Sequence, residues 1–165
     1  MAREIVTYPD PILARKSEPV AEITDEIREL AGEMAEAMYE NKGIGLAAPQ
    51  IGENIRLVTV DLSGPDERND LQVLVNPRIT AKSGSTESEE GCLSVTGYRA
   101  KVKRAEFVTL TATDLDGNEI TLEADDLLAI CLQHELDHLD GVLFIDHISR
   151  LKRSLYEKKL KKWKK

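Results

Sequence analysis

The residues best equipped for chemistry are His134-Glu135-Leu136-Asp137-His138. On a helix, positions i and i+4 project from one face, so the two imidazoles converge and can share a metal ion. Glu135 follows the first imidazole and can serve as a general base beside that ion without ligating it. Metal-assisted hydrolysis is the chemistry such a trio performs. The bland alternative is a set of polar residues on a buried helix. Burying two imidazoles and two carboxylates with no metal among them is costly, which counts against it.

A catalytic metal normally takes three protein ligands and keeps a fourth position open. An extended downstream pattern would need histidine at 144, where Phe144 stands. Glu157 is the only later glutamate, and it sits among lysines near the end of the chain. His147 is available but suits capping or packing near the following helix. Upstream, Glu90-Gly91-Cys92-Leu93-Ser94 offers a thiolate, a strong transition-metal ligand, with a glycine that lets backbone come close. A third segment, Gly43-Ile44-Gly45-Leu46-Ala47-Ala48-Pro49-Gln50, has two readings. It is either a helix stop and tight turn with packing alanines, or a glycine-lined strip that admits an extended peptide while Gln50 points an amide inward.

These residues need elements to hold them. Residues 24–41 read as an amphipathic helix with Ile27, Leu30, Ala31, Met34 and Met38 on one face, Thr24 as N-cap and Gly43 as terminator. Strand-like runs cover 55–62, 71–75 and 107–113. In the last, Phe107, Thr109 and Thr111 alternate with Val108, Leu110 and Ala112. Asp116-Gly117 supplies a tight turn into residues 119–122, completing a hairpin. Residues 64–69 read as a loop, and the polar stretch 82–90 has no clear assignment. Asp125 or Asp126 caps a helix running to about Leu139, stopped by Gly141 and apolar nearly all round in its first part, as a central buried helix is. A basic helix from Ser149 ends the chain. Helices and hairpin strands interspersed without βαβ alternation predict an α+β fold, antiparallel strands and hairpins around a central helix, in one domain over 1–165.

Charge is unevenly spread. The last 16 residues hold nine Lys/Arg against Glu157 alone, whereas the first 149 hold 13 Lys/Arg against 29 Asp/Glu. An acidic body with a basic appendage excludes general nucleic-acid binding by the whole domain, and nothing here points to sequence-specific recognition. No apolar run approaches the roughly 20 residues of a membrane helix, and the N-terminus lacks the apolar stretch of a secretory signal, so a cytoplasmic protein is expected. Cys92 and Cys131 are then unlikely disulfide partners, and Cys131 reads as a small buried hydrophobe.

Taken together, the three segments resemble the peptide deformylases, whose GφGφAxxQ, EGCφS and HEφDH motifs stand here in order from Gly43, Glu90 and His134. The resemblance runs from about Tyr8 to Leu151 and is similar to the bacterial type with a C-terminal helix. It implies that Cys92, His134 and His138 bind the metal and that Glu135 moves the proton. The Gln50 amide and the Leu93 backbone N–H would hold the oxyanion, and Gly45 would pair with the substrate backbone. It also implies an N-formylmethionyl peptide substrate and one divalent metal, ferrous iron first, with Ni2+, Co2+ or Zn2+ able to substitute. Ligand chemistry alone would have suggested zinc. Ile44, Leu127 and Ile130 are the expected walls of a methionine pocket, and Glu90 is expected to orient a metal-bound histidine. Thr96 replaces a common proline and Ser88 a common aliphatic residue, so fine specificity is open. The basic helix implies docking at the ribosome, against a merely solubilising role. A metallopeptidase leaves Cys92 and Gln50 without a task, and a structural metal module leaves Glu135 without one.

Overall fold

Residues 4–64 and 66–163 are described by a computed structural model. Thr24 opens helix α1 (Asp25–Glu40), its hydroxyl accepting from the Ile27 N–H, with Asp25 and Glu26 in the first turn where negative charge is favoured. Ala31, Met34 and Met38 are buried as their spacing predicts, together with Ala35 and Ala37. The helix does not stop on Gly43. Lys42 takes the left-handed conformation, at φ 59°, while the Gly43 N–H reaches back to the Met38 carbonyl. This is a Schellman ending with lysine in the position glycine usually fills.

Five antiparallel strands form the main sheet in the order β1 (Gly45–Ala47), β2 (Leu57–Val60), β3 (Gln72–Ser83), β6 (Phe107–Thr113), β7 (Glu119–Asp125). The β6–β7 hairpin pairs in the register its alternation dictates, with Val108, Leu110 and Ala112 buried. All four residues of β2 are buried because helices cover both faces. Val58 and Val60 pack in the cluster of helix α2 (Asp126–Leu139), whereas Leu57 packs in that of α1. Side chains alternate along β1 in the same way, so Leu46 joins the α1 cluster and Ala47 that of α2.

The stretch 82–90, unplaced from sequence, completes β3 and supplies most of β4 (Thr86–Cys92), which pairs with β5 (Val95–Arg104) in a separate two-stranded sheet. Apolar alternation is present in β5, at Tyr98, Ala100 and Val102, but missing from β4; opposite charges match the two, with Glu87 facing Lys103 and Glu89 facing Lys101. A third apolar cluster joins it to a 3-10 turn (Phe144–His147) and to helix α3 (Arg150–Trp163), through Val95, Val102, Phe144, Tyr156 and Leu160. The basic helix is therefore docked along one side, while Leu151 and Leu155 on the other side are exposed.

Helix α2 ends as expected, at Leu139 with Gly141 closing it, but departs from expectation at its start. Asp125 occupies the N-cap position without a side-chain bond, and the first turn is open on one side, with Leu127 53% exposed. At the C-terminus the Leu139 carbonyl accepts from the Ser17 N–H and the Arg56 guanidinium, and Gly141 follows at φ 77°. Midway, the buried Gln133 amide donates to the Ala105 carbonyl and accepts from the Ala105 N–H, each at 2.9 Å. A side chain thus pairs with the backbone where β5 gives way to β6.

Candidate metal centre

Helix α2 carries His134 and His138 one turn apart, and the end of β4 delivers Cys92 to them. The thiol sulfur and one nitrogen of each imidazole lie within 4.8 Å of one another, and Cys92 Sγ stands 3.2 Å from His138 Nε2. Ligand atoms about 2.0–2.3 Å from an ion stand roughly 3.5 Å apart in a tetrahedron, so the three could hold one metal. The donor chemistry fits as well. Burial pushes His138 well below its ordinary pKa, towards the neutral imidazole a ligand must be. Burial acts the same way on His134, but bonds to Cys92 and Glu90 draw it well above its ordinary value, marking a place that favours positive charge.

A buried ionic relay stands behind His134. Its Nδ1 lies 3.0 Å from Glu90 Oε1, and both Glu90 oxygens accept from Arg104, at 2.7 and 2.8 Å. Arg104 also donates to Asp137 at 2.6 Å, and Asp137 meets His147 at 2.9 Å. Burial raises the Glu90 carboxyl, but the bonds from Arg104 and His134 prevail and hold it at about 2. Glu90 is thus the histidine's partner, as its position in the motif led us to expect. His147 packs on Asp137, and Glu157 accepts from the Tyr8 hydroxyl, so neither joins the cluster.

Glu135 faces the opposite way, towards β1. Its Oε1 is buried without a hydrogen-bond partner among the described residues, and burial pushes its carboxyl up to about 7. Such a carboxylate, on the cavity wall with an uncommitted oxygen, has a pKa suited to exchanging protons near neutrality. Gly45 leaves the room it needs. A Cβ there would lie 2.6 Å from Glu135 Oε2 and 2.7 Å from the sulfur of Cys131, which is buried and unpaired.

Gln50 enters from a 3-10 turn (Ala48–Ile51) directly after β1. Its Oε1 accepts from the Ala47 N–H at 3.0 Å, which fixes the amide orientation. Nε2 then points to Ser94 Oγ at 3.2 Å and Cys92 Sγ at 3.5 Å. Cys92, His134, Glu135, Gln50, Gly45 and Glu90 border one cavity of about 720 Å³, together with Ile44, Leu93, Leu127, Ile130, Ser88 and Tyr98, while His138 is set more deeply. The residues expected as ligands, as catalytic groups and as pocket walls all lie on this cavity or in the ligand cluster beside it, whereas His147 and Glu157 do not. The Thr96 side chain lies outside the described part of the structure.

Sequence reasoning missed the tasks of Arg104 and Ser94, while Tyr98 falls in the stretch 95–100 that the resemblance implies for the substrate rim. Arg104 is one of several cations in a polar strand, and nothing local shows that its partners are Glu90 and Asp137. Ser94 was quoted only as a motif letter, and its task of steering Gln50 depends on a contact spanning 44 residues.

Comparison with known proteins agrees with this arrangement. The polypeptide deformylase family model matches residues 2–154. A peptide deformylase from Acidobacterium capsulatum is 51% identical over 98% of this chain and 95% of its own length. Among solved structures, a Legionella pneumophila peptide deformylase superposes with a TM-score of 0.94 at 43% identity, covering 99% of this chain and 96% of that one. One from Synechococcus elongatus, in complex with actinonin, gives 0.90 at 40%, covering 95% and 86%. A family match over nearly the whole length, with all three motifs meeting in one cavity, places this chain in the polypeptide deformylase family.

Proposed function

We propose that Cys92, His134 and His138 hold one divalent metal and that Glu135, Gln50 and Leu93 act on the substrate beside it. The enzyme removes the N-formyl group from formylmethionine at the start of newly made polypeptides, releasing formate. Bound at the three ligands, a divalent cation supplies Lewis acidity that makes water nucleophilic at neutral pH and polarises the formyl carbonyl. Glu135 takes the proton of the attacking water and passes it to the leaving amine; its buried, unpartnered Oε1 supports that role. As negative charge gathers on the formyl oxygen, the Gln50 amide and the Leu93 backbone N–H receive it, in a setting that needs no reorganisation. Ile44, Leu127 and Ile130 take the methionine side chain, and Gly45 lies against the substrate backbone.

One observation carries these roles: residues from β1, the following turn, β4 and α2 meet in a single cavity, with His134 oriented by Glu90 and Gln50 by the Ala47 N–H and Ser94. The test is formate release from a formyl-Met peptide by nickel-loaded protein and by Glu135→Gln. We expect the variant to keep its metal and lose activity. Retained activity would remove Glu135 from the mechanism, and metal loss would place it among the ligands.

Ferrous iron is the proposed native metal, with Ni2+, Co2+ and Zn2+ as substitutes, since thiolate with two imidazoles suits all four. Anaerobic purification with metal analysis decides this, and activity confined to a zinc-loaded preparation would exclude iron. The chain is proposed to act as one catalytic domain in the cytoplasm; among the described residues no helix is long and apolar enough to cross a membrane. Ribosome docking is proposed for the outer face of α3, whose lysines suit a phosphate-rich surface. Because Tyr156 and Leu160 are buried, truncating the helix would also damage the core. Reversing Lys158, Lys159 and Lys162 to glutamate tests docking alone, and unchanged co-sedimentation with ribosomes at low salt would refute it.

A further inference from the structure

Aromatic residues make up only 4% of this chain, yet three of its four tyrosines and one of its two phenylalanines form a row that ends on a metal ligand. Tyr8 meets Tyr156 with ring centroids 6.3 Å apart, and Tyr156 meets Tyr98 at 4.9 Å. Tyr98 stacks on Phe144 at 6.1 Å and 14°, and Phe144 lies 6.2 Å from the His134 ring. Every spacing falls within the range of favourable ring contacts. Tyr156, on α3, is 1% exposed and does not border the cavity, whereas Tyr98 does.

A second connection leaves α3 one residue further on. The Tyr8 hydroxyl donates to Glu157 at 2.6 Å, under the guanidinium of Arg153. The backbone beside that ring is tied to the site: the Tyr8 N–H donates to the Ser94 carbonyl at 2.7 Å, and the Val6 N–H to the Gln50 carbonyl at 2.6 Å. Ser94 and Gln50 are the pair that aims the Gln50 amide. Helix α3 therefore touches the cavity by two separate paths, one through Tyr98 to its wall and one through Tyr8 to the loops beneath.

We propose that α3 is a working support of the peptide site and that Tyr156 is a positioning residue, holding the β5 wall in place through Tyr98. The inference rests on the cavity being the peptide site. Removing the Tyr156 ring takes away the ring nearest to Tyr98 and leaves it only the Phe144 stack, so the wall can settle away from a bound peptide. The expected effect is on substrate affinity, because Tyr156 touches none of the reacting groups.

The experiment uses metal-loaded, full-length protein, with KM and kcat for a formyl-Met peptide and calorimetric binding of the product peptide Met-Ala-Ser. Tyr156→Leu retains apolar volume and removes the ring, which keeps the test readable if Tyr156→Ala does not fold. For Tyr156→Leu we expect KM and product Kd to rise between about threefold and tenfold with kcat little changed, and Tyr156→Phe to restore both. Leu160→Ala loosens the same helix one turn further on while leaving every ring of the row in place, and should leave KM as it was. Tyr98→Ala combined with Tyr156→Leu should be no worse than Tyr98→Ala alone. Unchanged KM in folded Tyr156→Leu, an equal rise in Leu160→Ala, or full additivity with Tyr98→Ala would each overturn the proposal. Absence of deformylation by the unsubstituted protein would instead refute the reading of the cavity itself.

Discussion

Replacing Arg104 by methionine strips Glu90 of the guanidinium that makes its burial tolerable. The two side chains are 4% and 5% exposed and share two hydrogen bonds, so water cannot take over when one is removed. Two routes give the magnitude. The carboxyl falls from an ordinary 4.5 to about 2, with His134 contributing part of the effect. A fall of that size corresponds to about 3 kcal/mol of preference for the charged form. Independently, orphaning one member of a buried pair usually costs about 3–5 kcal/mol. We therefore expect Arg104→Met to lose about 3 kcal/mol in urea unfolding, equivalent to roughly 6–12 °C in Tm for a chain of this size. The double variant Glu90→Gln/Arg104→Met should recover much of that loss. It buries no lone charge, and a glutamine oxygen can still accept from His134 Nδ1. Metal affinity should follow, falling about 10–100-fold in the single variant. A loss under about 1 kcal/mol, or a double variant no more stable than the single, would show that the pair is not what makes Glu90 tolerable.

Three further outcomes follow from the same structure. Gly45→Ala should cut kcat/KM at least about tenfold, because the new methyl must displace Glu135 or Cys131; formate release at wild-type rates with full metal content would refute that crowding. Ile130→Arg should raise KM for formyl-Met peptides, and an unchanged KM would remove Ile130 from the pocket wall. Burial would raise the Asp61 carboxyl, but bonds from the Ser63 hydroxyl, Tyr39 and the Ser63 and Gly64 N–H groups hold it below its ordinary 3.8. Its contribution is thus complete above the unfolded value and lost as pH falls through the lower folded one. Asp61→Asn should be less stable than wild type at pH 7, with the gap closing below about pH 4 in unfolding experiments; a gap independent of pH would exclude this origin.

The parts legible in the sequence were those whose signal is local. Strand β6 buries the residues its alternation marks, α1 buries Ala31, Met34 and Met38 of its marked face, α2 does so beyond its open first turn, and Thr24 caps α1 as its type predicts. His134, Glu135 and His138 could be read together because one helical turn joins them. Cys92 and Gln50 became legible only through the motif set, since their neighbours in space are 42 to 46 residues away in sequence. The β4–β5 hairpin escaped because β4 is polar and held by opposed charges and a buried ion pair, so the alternation of Tyr98, Ala100 and Val102 in β5 had no apolar partner strand in the sequence. The close of α1 was misplaced for a related reason. Lys42 accepts the left-handed backbone because the Schellman bonds on either side hold it there, a fact no single residue type announces.

The pairing of Gln133 with Ala105 bears on how the molecule flexes. Ala105 is the joint at which the chain leaves the small sheet for the large one, and Gln133 is the residue immediately before His134. Bending of one sheet against the other therefore pivots beside the catalytic groups. The point of a lever nearest its pivot travels least, so flexing of the two sheets displaces residues beside Ala105 least and the β4–β5 turn, where Cys92 stands, most. Amide exchange at Ala105 should accordingly be as slow as in the middle of the large sheet, although it belongs to no strand.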